Sequence, residues 1–312
     1  MDKHYPVLLN EALEGLMIKP NGVYVDCTLG RAGHSTAILS QLTTGKLYCF
    51  EQDDEGINAA KKQLVALNKP NFEIINANFM HLQAELMVRN IQTVNGILYD
   101  LGVSSPQFDS DYRGFSYRYD SELDMRMNQK QSLTAKTVVN TYSVNDLARI
   151  FREYGEEQFS WKIAQNIVAV RAKQEITTTF QLVDIIKQSL PQKVLKKAKH
   201  PAKQVFQAIR IEVNQELEVL KKSLEQAVEM LAVTGRLVII SFHSLEDRIV
   251  KQFFQKLTTD PAAVVYQNLP VVSNYQSSFK IITKKVIIPT SKELDENHRS
   301  ASAKMRILER VN

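Results

Sequence analysis

The chain has 312 residues, 44% of them hydrophobic and 23% charged, which is ordinary globular composition and excludes a disordered or collagenous chain. No apolar run approaches the ~18 residues that span a bilayer, and residues 1–10 lack the basic-then-apolar pattern of a secretory leader, so the expected address is the cytoplasm. Of the net charge of +5, all lies in residues 108–204, which hold 16 basic and 11 acidic side chains; the remainder holds 23 of each. A localised basic surface points to a polyanionic partner, most simply nucleic acid.

Strand and helix signals alternate over the first hundred residues. Val23-Tyr-Val-Asp-Cys-Thr28 is β-rich and runs into a glycine-containing turn. A short helix is predicted over Ser35–Leu42 and a second strand over Lys46–Glu51. Asp53 or Asp54 can cap a helix with Ile57, Ala60, Leu64 and Leu67 on one face. Phe72–Asn76 and Gly96–Asp100 read as the third and fourth strands. This order implies a parallel sheet with right-handed crossovers and helices on both faces.

The alternation stops after Asp100. Residues 101–120 have no clear period, and helical signals return from about Ser143 to Leu190. Phe206, Ile209, Val213, Leu217, Leu220, Leu224, Val228 and Leu231 predict one long amphipathic helix with Gly235 as its C-cap. Gly235–Phe242, Phe279–Ile288 and Lys304–Leu308 read as further strands. The predicted architecture is a doubly wound α/β sheet formed by residues 1–107 and 205–312. A mostly helical, basic domain over 108–204 is inserted into it as the expected RNA-recognition element.

Open α/β sheets bind ligands at the carboxyl ends of their strands. The first such end is Asp26-Cys-Thr-Leu-Gly-Arg-Ala-Gly-His34, where Gly30 and Gly33 permit a tight turn and close approach. Glu51 ends the second strand, where a carboxylate suits the two hydroxyls of a ribose. Phe79 follows the third and can lie against an adenine face, and Asp100 ends the fourth. A GxGxxG fingerprint is lacking, since Ala32 and Ser35 occupy the relevant positions, and this disfavours a pyrophosphate on the first helix. The set suits a nucleoside cofactor without phosphates, with S-adenosylmethionine as the candidate. Cys27 and Cys49 fit no CxxC spacing and read as buried hydrophobes. No facing set of metal ligands is readable, so no metal is expected. His243, just after the fifth strand, is a candidate to face the substrate or to make structural hydrogen bonds.

Asp100-Leu-Gly-Val-Ser-Ser-Pro-Gln107 carries the reacting-site signal. Its Ser104-Ser105-Pro106 is similar to the Asn/Asp/Ser-Pro-Pro-aromatic loop of enzymes that methylate amino groups of nucleic acids. An exocyclic amine delocalises its lone pair into the ring. Oxygens that accept its N–H bonds can pull it toward sp³ geometry and aim the lone pair at a methyl donor.

Several strings in order extend the likeness. They include Asp26-Cys-Thr-Leu-Gly-Arg-Ala-Gly-His-Ser35, Asp100–Gln107, Arg113-Gly-Phe-Ser-Tyr117, Leu123-Asp-Met-Arg-Met127, Phe206–Leu217 and Ser241-Phe-His-Ser-Leu-Glu-Asp-Arg248. Through them the chain resembles, nearly end to end, the bacterial ribosomal RNA small-subunit methyltransferase H family. The resemblance implies a class I S-adenosylmethionine-dependent methyltransferase fold and methylation of N4 of a cytidine in the decoding centre of 16S rRNA, within the small ribosomal subunit. It places cofactor contacts at Ala32, Gly33, His34, Glu51, Phe79, Asp100 and Gln107, with His34 acting through its backbone, and the reacting site at Asp100, Ser104, Ser105 and Pro106. Ala32 and Glu51 depart from the Gly and Asp usual in that family. Arg113, Arg118, Arg126, Lys196, Lys197, Lys199 and Lys203 are the candidate phosphate contacts. Two other readings fit a similar sheet: a non-catalytic RNA-binding or ribosome-assembly factor, and a nicotinamide-dependent oxidoreductase. The oligomeric state stays open between monomer and homodimer.

Overall fold

The computed structural model describes residues 5–104, 107–108, 111–196, 200–260 and 275–312. The chain divides into two compact units: Met1–Gly102 with Glu218–Asn312, and Val103–Leu217.

The first unit is built on a seven-stranded sheet of order β3-β2-β1-β4-β5-β7-β6. Its strands are β1 Val23–Asp26, β2 Lys46–Glu51, β3 Phe72–Asn76, β4 Val94–Asp100, β5 Leu231–Ser241, β6 Phe279–Ile281 and β7 Lys304–Arg310. Strands β1 to β5 pair in parallel, while β7 runs antiparallel to both of its neighbours. The order reverses at β1, which places a topological switch between the ends of β1 and β4.

Alternate residues of each strand feed opposite faces, so a strand covered on both sides must be apolar throughout. Leu47 and Cys49 of β2, with Leu98 of β4, pack on one face against α1 (Leu9–Leu16), α2 (Gly33–Gln41) and α3 (Asp54–Val65). Tyr48, Phe50, Ile97 and Tyr99 pack on the other face, against α4 (Leu82–Val88) and the helices that flank β5. Both cysteines are buried and unpaired, Cys27 on one face and Cys49 on the other.

The second unit has its own core. Helices α5 (Ala135–Thr141), α6 (Val144–Glu153), α7 (Ser160–Arg171), α8 (Thr179–Ser189), α9 (Gln192–Leu195) and α10 (Lys203–Asn214) contribute to it. Thr178 and Gln181 form a capping box that starts α8.

The predicted long helix over Phe206–Leu231 is two helices. Gln215 takes a left-handed φ of 51° and separates α10 from α11 (Glu216–Met230). The apolar spacing continues through the break because each half faces a core, so periodicity alone does not reveal it. Residues 205–217 accordingly fall in the second unit and not with the sheet. Gly235 is not a helix C-cap either. It lies within β5, at the irregular register between Leu231 and Arg236, where Thr234 has φ 67°. A Cβ at Gly235 would stand 2.7 Å from the Ala232 carbonyl oxygen, which explains the glycine. Helix α12 (Ser244–Thr258) follows β5, and α13 (Ser291–Glu296) precedes β7. The first unit has the Rossmann-like fold of class I methyltransferases. Among the described residues no helix is long and apolar enough to cross a membrane.

Candidate active site

The carboxyl ends of β1, β2, β3 and β4 converge on one edge of the sheet. Direct hydrogen bonds tie them together. After β1 the chain turns through Gly30 at φ 50° and Ala32 at φ 62°, both left-handed. Glycine adopts that region without penalty and alanine does not, which gives a physical reason for the glycine usual at position 32 in the family the chain resembles. The Gly30 N–H donates to Glu51 Oε2 over 3.0 Å, joining the ends of β1 and β2. The Asn78 side-chain amide donates to Gln52 Oε1 at 2.9 Å and that of Asn76 to Asp54 Oδ1 at 2.9 Å, joining the ends of β2 and β3. The Asp100 N–H donates to Thr28 Oγ1 at 2.7 Å, joining the ends of β4 and β1.

Asp26 braces this edge from within. It is 1% exposed. Its Oδ1 accepts from the Thr28 N–H at 3.0 Å and its Oδ2 from the Ser35 hydroxyl at 2.7 Å. Sequence reasoning did not single out Asp26, Thr28, Ser35 or Asn78. The signal was present, since a charged residue that closes an apolar, buried strand must be satisfied by close partners.

Glu51 also accepts from the N–H groups of Gln52 and Asp53, at 2.9 and 3.0 Å. Burial pushes its carboxyl up to about 7, against the pull of these three donors. Oε1 takes the Gln52 and Asp53 donors and Oε2 takes the Gly30 N–H, so of about four lone-pair sites one, on Oε2, stays open for a ribose hydroxyl. Phe79 is half-buried in a short 3₁₀ turn, Phe79–His81, and meets Tyr99 edge-on with centroids 5.4 Å apart. Asp53 caps α3 through the Glu55 N–H.

Asp100 stands at the switch point. Burial pushes it up to about 6; His34 pulls it down, while Asp26 and Glu246 push it up further. Its Oδ2 lies 3.4 Å from His34 Nδ1. Its Oδ1 is buried and has no hydrogen-bond partner among the described residues. A buried acceptor left open costs free energy unless something fills it, which marks Oδ1 as a place for a ligand donor.

The structure thus brings Ala32, Gly33, His34, Glu51, Phe79 and Asp100 to one sheet edge. Ser104 and Gln107 belong to the second unit, where the Ser104 N–H donates to Gln107 Oε1 at 3.0 Å. Ser105 and Pro106 lie outside the described residues, as do Lys197 and Lys199.

His243 is the N-cap of α12. It forms a capping box with Glu246, whose Oε2 accepts from the Phe242 and His243 N–H groups at 2.8 and 3.2 Å. The cap uses Nδ1 of His243, while its Nε2 is buried with no hydrogen-bond partner among the described residues.

Two of the predicted phosphate contacts are internal braces. Arg113 is 3% exposed and donates to the Arg126 and Met127 carbonyls. Arg126 grips Asp124 and the Gln129 and Gln131 carbonyls. A guanidinium fork satisfies several acceptors at once, so arginine in a loop can be scaffold as readily as surface. Arg118, Lys196 and Lys203 are exposed.

The sequence profile of the MraW methylase family matches residues 1–311. A ribosomal RNA small subunit methyltransferase H from Spiroplasma kunkelii is 64% identical over 309 residues, covering 99% of each chain. A protein of the same name from Mesoplasma florum is 50% identical over 311 residues, covering 99% of this chain and 100% of its own. With a match of that extent, over a sheet whose strand ends converge as described, the chain belongs to the MraW methylase family, alongside the proteins named ribosomal RNA small subunit methyltransferase H.

Proposed function

We propose that this chain transfers a methyl group from S-adenosylmethionine to the exocyclic N4 amine of a cytidine in 16S rRNA, in the setting of the small ribosomal subunit. The observation that carries the reading is the convergence of Glu51, the glycine turn and Asp100 at the switch point, with one buried Asp100 oxygen left open. The names of the relatives at 64% and 50% identity support the rRNA substrate. The cytosine amine rests on the resemblance of Asp100–Gln107 to amino-methylating loops.

The residues present fit the cofactor. The left-handed turn at Gly30 and Ala32 brings main chain close to the edge, and Glu51 Oε2 has a lone-pair site open for a ribose hydroxyl. Phe79 supplies an aromatic surface one loop away. S-adenosylmethionine, when bound, supplies a methyl group made electrophilic by its positive sulfur.

The chain's own work is to hold and polarise the amine. Asp100 Oδ1 is placed to accept one amine N–H, which draws the nitrogen lone pair out of ring conjugation. An amine that gains a methyl gives up one proton, and the same carboxylate can take it. By resemblance, Ser104, Ser105 and Pro106 serve the amine and Gln107 the cofactor. The target base must leave its stack to reach such a site.

The test is transfer of labelled methyl to small ribosomal subunits by the purified chain, with mass-spectrometric mapping of the product. One N4-methylated cytidine is expected, together with loss of transfer in Asp100→Ala despite a retained fold. Label on a ring carbon or a ribose oxygen overturns the amine reading. Binding of rRNA without transfer favours the assembly factor.

A further inference from the structure

His34 is the second residue of α2 and is 5% exposed. Its two ring nitrogens face different partners. Nε2 lies 3.0 Å from the Val7 carbonyl oxygen, and Nδ1 lies 3.4 Å from Asp100 Oδ2. A carbonyl only accepts, so Nε2 carries a hydrogen. Bare lone pairs on Nδ1 and Oδ2 would repel at that separation. One proton therefore lies between them, and the imidazole links the main chain at Val7 to the carboxyl at the end of β4.

The Val7 carbonyl is held in place. The Leu8 N–H donates to Glu293 Oε1 at 2.8 Å, and the Asn297 side-chain amide donates to the Tyr5 carbonyl at 3.2 Å. Pro6 packs so closely on Gly33 that a Cβ there would stand 2.4 Å from Pro6 Cγ. Leu8 turns the chain at a left-handed φ of 52°. A buried leucine in that region is strained, and such strain persists only where the surroundings enforce it.

We propose that His34 is a positioning residue. Locked on the Val7 carbonyl through Nε2, its ring holds Asp100 by Oδ2 and leaves Oδ1 to accept from the reacting amine, so that residues 5–8 belong to the reaction centre. This rests on the methyltransferase reading above and adds to it a role for the side chain of His34, where the resemblance assigns only its backbone. The other charges that bear on Asp100, Asp26 at the end of β1 and Glu246 on α12, are negative and disfavour a carboxylate there. His34 on α2 acts in the opposite sense, so its loss leaves Asp100 protonated to higher pH.

Two substitutions separate the ring's two contacts. His34→Asn keeps a donor about where Nδ1 stands, toward Asp100. His34→Gln keeps one about where Nε2 stands, toward Val7, and loses the Asp100 partner. The measurement is the pH profile of kcat and of cofactor KM for methyl transfer by the full chain. For His34→Gln, kcat falls about 10-fold or more with little change in KM, and the acid limb moves up by roughly half a pH unit or more. His34→Asn recovers most of both. Equal losses in the two variants, with the acid limb where the wild type has it, overturn the proposal. ¹⁵N NMR of the imidazole tests the pair without catalysis. A hydrogen on Nε2 and an Nδ1 signal that moves in Asp100→Asn support it; a hydrogen on Nδ1 alone, or an unmoved signal, overturns it. If the wild type transfers no methyl group while the NMR signature holds, it is the methyltransferase reading that fails.

Discussion

The backbone N–H of Gly30 donates to the Glu51 carboxylate over 3.0 Å, so the turn after β1 and the acid that ends β2 form one unit. Glu51 thereby braces the glycine turn while keeping one acceptor site, on Oε2, for a ribose hydroxyl. Glu51→Gln replaces one acceptor oxygen with a donor and should weaken S-adenosylmethionine binding about 10- to 100-fold by calorimetry. Diol hydroxyls donate best to the charged carboxylate, and burial places Glu51 at about 7. Wild-type affinity should therefore fall as pH drops below that value, approaching about tenfold per pH unit. Affinity that stays flat from about pH 8 to about pH 5.5 would remove Glu51 as the titrating acceptor.

Glu51 and Asp100 also make stability depend on pH in an unusual sense. Burial raises Asp100 from 3.8 to about 6 and Glu51 from 4.5 to about 7. A carboxyl whose folded value is raised contributes stability below its unfolded value, and loses that contribution as pH rises through the folded one. Without added cofactor, the chain should lose stability from about pH 4 to about pH 7 through these two groups. Asp100→Asn should then be more stable than wild type at about pH 8, on the order of 1–2 kcal/mol. Urea unfolding at the two pH values checks it, and an asparagine variant less stable at high pH would contradict the assignment.

Gly33 is required by a close approach. An added methyl would meet Pro6 Cγ at 2.4 Å, and a proline ring has little freedom to yield. Gly33→Ala should cost about 1–3 kcal/mol of stability and lower methyl transfer by displacing residues 5–8. A wild-type melting curve for this variant would show that the segment moves freely.

Asp26 is the largest single stability prediction at the site. Asp26→Ala strands the Thr28 N–H and leaves the Ser35 hydroxyl with only the Cys49 sulfur, 3.3 Å away. It should cost about 2–4 kcal/mol, whereas Ser35→Ala should cost about 1 kcal/mol. Equal small losses in chemical denaturation would mean that water takes over both bonds.

The arginines of the second unit divide by exposure. Binding to an rRNA fragment should weaken with rising salt, and Arg118→Ala or Lys203→Ala should each reduce the salt slope by about 1. Arg126→Ala should leave the slope unchanged and instead lower stability, since its guanidinium is spent on Asp124 and two carbonyls. A slope change in Arg126→Ala would make it a phosphate contact after all.

Most of the sheet was legible because strand signals are local. Lys46–Glu51 and Phe72–Asn76 have the bounds the sequence predicts: Leu47 to Phe50 of the interior strand β2 are apolar at every step, and Phe72, Ile74 and Ile75 mark the edge strand β3. The break at Gln215 was not legible. Helical spacing reports that a face is buried and not which core buries it, so two helices serving different cores read as one. Arg113 and Arg126 escaped for a related reason: composition counts a charge without showing whether its donors are already used.

From the amino acids alone came the order of strands and helices, the four strand-end motifs, and the family resemblance, because each rests on neighbours a few residues apart. Tertiary structure alone decided that Thr28 carries the Asp100 main chain, that Asp26 is the hidden brace, and that the His34 ring spans Val7 and Asp100. Those contacts join residues tens of positions apart. They exist only once the sheet has fixed the ends of β1 and β4 side by side, and no local pattern encodes the separation between two such ends.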